Sequence, residues 1–114
     1  MKKLNEIVIK ADEGIKRVMN NKTLYIKLLT SFKGRELVDG IINAINNNDK
    51  EEVSKNVHNL KGVSANLAIV ALADVSVQIE ASLKSDEALD SFVPVLLEKL
   101  EKVEAEIKKI ISEE

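Results

Sequence analysis

The chain has 114 residues, 17 Lys and Arg against 19 Asp and Glu, no cysteine and one histidine. That length fits a single domain, residues 1–114, able to bury its own core, and the lack of cysteine excludes disulfides, zinc–thiolate sites and cysteine nucleophiles. One histidine excludes a multi-histidine metal centre within one chain, and a net charge of −2 with only Tyr25, Phe32 and Phe92 as aromatics argues against a nucleic-acid surface.

The opening residues, MKKLNEIVIKADEG, lack the sustained apolar core of a secretory signal. No apolar run approaches the ~20 residues of a transmembrane helix. A cytoplasmic protein without membrane insertion is therefore expected. Leu4, Ile7, Val8, Ala11, Ile15 and Val18 form a first helical stripe, weakened at Gly14, which suggests a short or bent helix. Asn20-Asn21 is a turn signal. From Lys22 to Asn46 the pattern reads as one long helix whose apolar side is Leu24, Leu28, Phe32, Val38, Ile42 and Ile45. Gly34 and Gly40, each costing about 1 kcal/mol against alanine, mark points where it could bend. Asn46-Asn47-Asn48 ends it.

Asp49 and Glu52 resemble a capping box with aspartate in place of Ser or Thr, and predict a helix from about Lys50 to Asn66. Its buried face is Val53, Val57, Leu60, Ser64 and Leu67. The stripe Ile69, Leu72, Ala73, Ser76, Ile79 and Leu83 predicts a further helix closing near Lys84, with Ser85-Asp86-Glu87 as the connection. Val93, Leu96, Leu97, Leu100, Val103, Ile107, Ile110 and Ile111 define the last one. Pro94 is tolerated only in its first turn, so its cap falls near Asp90 or Ser91. The Glu and Lys alternation from Glu98 to Lys109 is a solvated face with intrahelical pairs. No strand alternation competes. The predicted fold is all-α: an antiparallel up-down four-helix bundle with an additional N-terminal helix.

His58 lies roughly 140° from the middle of the buried face of its helix, and so points into solvent. Ser54 and Lys55 precede it by one turn, Lys61 and Gly62 follow by one turn, and Ala65 lies beyond. Neutral imidazole, with a pKa near 6.5, is a competent nucleophile at neutral pH. Its attack on a phosphoryl group spreads negative charge over oxygens that nearby cations stabilise. Lys61 can reach that group as a point charge, and Lys55 flanks it on the other side. Gly62 is disfavoured mid-helix by propensity, and its use there lets a partner's backbone approach closely. The bland reading is that a lone surface histidine is incidental, Lys61 and Lys55 are solvated charges, and the chain is a helical adaptor or dimerisation bundle.

The run His58-Asn59-Leu60-Lys61-Gly62-Val63-Ser64-Ala65-Asn66-Leu67 closely resembles the signature of histidine-containing phosphotransfer (HPt) domains. Tyr25, Leu28, Leu29 and Phe32, then Asn48-Asp49 and Ile79-Glu80, are similar to further family patterns. The resemblance implies that His58 accepts a phosphoryl group, usually on Nε2, from an aspartyl phosphate on one response-regulator receiver domain and passes it to another. It implies that Lys61 stabilises the phosphate, and that Gly62, with Ser54, Lys55 and Ala65 around it, admits the receiver. The domain would be a monomeric phosphocarrier in a two-component phosphorelay, not an enzyme, with no cofactor of its own; the Mg2+ used in transfer belongs to the receiver. A hybrid sensor histidine kinase is a further implied partner, and a variant is direct phosphorylation by a kinase domain. The family commonly has glycine after Asn-Leu, where this chain has Ala68, a departure that puts the turn geometry in question and could extend the helix, but leaves the His58–Lys61–Gly62 face intact. Gln78 is a candidate contact to the imidazole from the neighbouring helix.

Overall fold

The structure is a computed structural model, and it describes residues 6–113. Among the described residues there are six helices and no strand: α1 (Ala11–Arg17), α2 (Lys22–Thr30), α3 (Gly34–Asn46), α4 (Lys50–Asn66), α5 (Val70–Lys84) and α6 (Phe92–Ser112). The expected long helix over 22–46 is thus two helices, broken at residues 31–33. The cause is local. Ser31 and Phe32 turn back through N–H bonds to Lys27 O and Leu29 O, each 3.1 Å, and the Phe32 ring folds over Gly34, where any side chain would collide with it. The break resets the helical phase. Tyr25 and Leu29 are the buried residues of α2, whereas Leu24 and Leu28 are exposed. In α3, Val38, Ile41, Ala44 and Ile45 are buried.

The first stripe also divides. Leu4 lies outside the described residues, and helix begins only at Ala11. Residues 6–10 form an extended strap across one end of the bundle. Val8 O accepts from Ala71 N–H at 3.1 Å, Lys10 N–H donates to Ala68 O at 2.9 Å, and Ile9 is buried in the core. Glu6 is held by Lys99 at 2.6 Å and Lys102 at 2.9 Å; the hydrogen bond from Lys99, then that from Lys102, lowers its carboxyl pKa below the ordinary value. Gly14 sits against Tyr25 so closely that an added Cβ would overlap the ring.

α4, the helix that carries His58, starts as its residues dictate: Asp49 caps it, the carboxylate accepting from Glu52 N–H at 3.1 Å. Lys50 also pairs with Asp86, tying the start of α4 to the α5–α6 connection. Val53, Val57, Leu60, Ser64 and Leu67 are all buried, so one face of α4 is committed to the core. α4 packs between α3 and α5, and α6 packs against both α5 and α3 and also meets α2. Leu96, Leu100 and Val103 of α6 are fully buried against this assembly. Arg35 at the start of α3 grips Glu104 of α6 through two hydrogen bonds of 3.1 and 2.7 Å.

The end of α4 is a tight reversal. Ala68 N–H donates to Ala65 O and Ile69 N–H to Ser64 O, at 3.1 and 2.8 Å. Ala68 itself takes a left-handed φ of 58°. Those two bonds, crossing in this order, are the Schellman arrangement that usually employs glycine. α4 therefore stops at Asn66, where its sequence pattern predicts, and the extension that the missing glycine could have allowed does not occur. Alanine adopts the turn at a conformational cost, held there by the strap bond to its carbonyl and by the Tyr25 hydroxyl, which donates to Leu67 O at 2.7 Å. Burial pushes the Tyr25 phenol up to about 12.

Candidate functional site

Because Val53, Val57, Leu60 and Ser64 face inward, His58 is turned outward midway along α4, with 79% of its side chain exposed. Ser54, Lys55, Gly62 and Ala65 lie exposed on the same helix. An added Cβ at Gly62 meets nothing within 4 Å. The glycine is therefore not there to let another part of this chain approach. Its bare backbone faces open space beside the imidazole.

Lys61 is held differently from a free surface cation. Its side chain is 36% exposed, and Nζ lies 2.8 Å from Glu80 Oε1 on α5. The other oxygen of the same carboxylate, Oε2, is 3.9 Å from His58 Nδ1. Glu80, 26% exposed, thus stands between lysine and imidazole. Sequence reasoning aligned Ile79-Glu80 with a family pattern without giving Glu80 a place beside His58. The signal was the buried Ile79 next to it, but only the register of α5 on α4 turns that into proximity. Gln78, the candidate from the sequence, is exposed on α5, and the α5 side chain beside the imidazole is Glu80.

Two consequences follow from this geometry. A carboxylate that closed on the Nδ1 side would favour the tautomer with its proton on Nδ1, and leave the Nε2 lone pair free on the far edge of the ring. The same carboxylate stabilises positive charge that develops on the ring when Nε2 forms a bond, the role an acid plays toward histidine in hydrolytic triads. The 3.9 Å separation is longer than a hydrogen bond. A shift of about 1 Å, by the exposed imidazole or the half-buried carboxylate, closes it.

An open, mostly apolar groove of about 770 Å³ lies between α1, α2, α3 and α4, bordered by Val18, Leu28, Phe32, Leu37 and Val63. His58 does not line it. Its charged lining is Arg17, Lys33 and a single carboxylate, Glu36. His58 sits instead on the exposed outer face of α4. A smaller cleft of about 320 Å³ adjoins the site between α4 and α5, lined by Ser54, Lys61, Glu80, Leu83 and Lys84. Among the described residues no group of three His, Cys, Asp or Glu is placed to hold a metal ion. No described helix is long and apolar enough to cross a membrane.

Comparison with known proteins places this geometry in a family. No curated protein matches the chain. A solved structure, the HPT domain from the Hpt sensor hybrid histidine kinase from Shewanella, superimposes with a TM-score of 0.77 over 94% of this chain and 96% of that one, at 23% identity, and so shares its fold. The Hpt domain family model matches residues 31–111, a span that begins at the break before α3 and includes His58, Lys61, Gly62 and Glu80. The chain belongs to the Hpt domain family, the phosphotransfer modules of two-component systems.

Proposed function

We propose that this protein is a phosphorelay carrier that receives a phosphoryl group on His58 from a receiver-domain aspartate and delivers it to the aspartate of a second receiver. The observation that carries the reading is the outward imidazole of α4, with a carboxylate on its Nδ1 side and a lysine one turn away. In the forward step the Nε2 lone pair attacks phosphorus, a P–N bond forms, and the P–O bond to the donor aspartate breaks to release a carboxylate. The proton on Nδ1 stays on the ring, whose new positive charge faces Glu80. Delivery to the second receiver reverses these changes. The phosphoryl oxygens draw Lys61, and the receiver supplies the Mg2+ that neutralises the rest.

The receiver docks on the exposed strip of Ser54, Lys55, Gly62 and Ala65, over a helix made rigid by its buried face. The short connections support an antiparallel up-down course for α3 to α6, with α1 and α2 folded against one end. The protein turns over no substrate alone and works as a monomer in the cytoplasm. The hybrid histidine kinase origin of the similar Shewanella domain supports a kinase-borne receiver as the upstream partner. Incubation with phosphorylated receivers of the source organism tests the reading. The expected result is an acid-labile phosphoryl adduct seen by intact mass, present in the wild type and absent in His58→Gln. An adduct that persists in His58→Gln would overturn it.

A further inference from the structure

Glu80 serves two neighbours with one carboxylate, and the resting arrangement satisfies only one of them. Oε1 is bonded to Lys61 at 2.8 Å, and Oε2 stands 3.9 Å from His58 Nδ1. When His58 carries a phosphoryl group, the new negative charge draws Lys61 toward it and repels Glu80 from it. Glu80 then loses its cation at the moment when its charge on the Nδ1 side is most useful. A replacement is already in place. Lys84 lines the same cleft as Glu80 and Lys61. It follows Glu80 by four residues on α5, and Glu placed one turn N-terminal to Lys is the favoured order for a helical ion pair. Lys84 is exposed, and among the described residues no ion pair engages it.

We propose that Lys84 is a reserve cation: on phosphorylation of His58, Lys61 transfers from Glu80 to the phosphoryl oxygens and Lys84 takes its place on Glu80. The proposal rests on the phosphocarrier reading of His58. It adds a positioning residue that acts through Glu80, with no bond made or broken beyond the transfer itself. The exchange keeps the carboxylate from being repelled out of the site, and so favours the phosphorylated state of this protein over that of the receiver.

The test is the equilibrium between a phosphorylated receiver and this protein, with phosphohistidine lifetime as a second readout. The variants are Lys84→Gln, Lys84→Arg, Glu80→Gln and the Lys84→Gln/Glu80→Gln pair. Lys84→Gln is expected to lower the equilibrium constant for transfer onto His58 by about two- to five-fold, the range of an exposed ion pair, and Lys84→Arg to restore it. In the Glu80→Gln background, Lys84→Gln should cause no further loss, because the two act as one unit. In the unphosphorylated protein Lys84→Gln should lower the melting temperature only by what a cation in the last turn of α5 contributes through the helix dipole, and equally in the wild-type and Glu80→Gln backgrounds.

A Lys84→Gln protein that equilibrates like the wild type overturns the exchange. So does a loss that persists undiminished in Glu80→Gln, which would put Lys84 on the phosphate or the receiver directly. A melting-temperature loss for unphosphorylated Lys84→Gln that disappears in the Glu80→Gln background would also overturn it, by showing that Lys84 is already on Glu80 at rest. A wild type that never accepts a phosphoryl group fails the carrier reading itself, and is told apart from these outcomes by the His58 adduct.

Discussion

Gly62 separates stability from function more cleanly than any other residue of the site. It lies inside α4 with helical neighbours on both sides, and a Cβ built there meets no atom within 4 Å. In such a position glycine costs about 1 kcal/mol relative to alanine, because it has more backbone freedom to lose on folding. Gly62→Ala should therefore stabilise the protein by about that amount, raising the melting temperature by roughly 3–6 °C for a domain of this size. Gly62→Gln keeps most of the propensity gain but projects a long side chain over the approach to His58. It should fold at least as well as the wild type and yet bind a receiver more weakly, with slower transfer. Urea and thermal melts give the first quantity, and titration of a receiver plus single-turnover transfer gives the second. If Gly62→Ala lowered stability, the open space beside the glycine would be wrong. If Gly62→Gln left receiver affinity untouched, the docking strip would be misplaced.

Two further outcomes test the frame that holds the site. Ala68→Gly should stabilise by about 0.5–1 kcal/mol: the left-handed φ costs an L-residue roughly 1–2 kcal/mol, and glycine's greater freedom in the unfolded chain takes back about 0.4–1 kcal/mol. A fall in the urea midpoint would mean that the buried methyl of Ala68 matters more than its backbone conformation. Tyr25 is the single tyrosine, so its ionisation can be read directly by tyrosinate absorbance. Folding favours its neutral form, so its contribution to stability is complete below the ordinary phenol value of 10.0 and is lost as pH rises toward the native value of about 12. The native protein should titrate near that upper value and the urea-unfolded chain near the lower one. A native midpoint at the ordinary value would remove the phenol from the interior.

The helix carrying the site could be read from the sequence because its signals are local. Asp49 caps it, and the four- and three-residue spacing from Val53 to Leu67 fixes its buried face, which in turn fixes where His58 points. The break between α2 and α3 was hidden because Phe32 fits the apolar stripe of a continuous helix. What ends α2 is the ring lying over Gly34, a contact between neighbours that periodicity does not record. Carrying one phase across that break then assigned Leu24 and Leu28 inward, where Tyr25 and Leu29 belong. The strap of residues 6–10 has helical spacing but spends its backbone groups on Ala68 and Ala71 instead. Glu80 was missed beside the imidazole for a different reason: its place depends on how α5 is registered against α4, and such a relation between two helices has no signature within either.

The midpoint position of His58 along α4 has a consequence for how tightly anything attached there is held. Backbone amides gather anions at the first turn of a helix, and the field of the peptide dipoles fades within a turn of either end. At its centre every amide is already committed to the helix, so a phosphoryl group carried there, as proposed, would find only side chains, Lys61 among them on a flexible tether. Gripped by movable groups, with no amide cradle beneath it, such a cargo would be readily surrendered to the next acceptor.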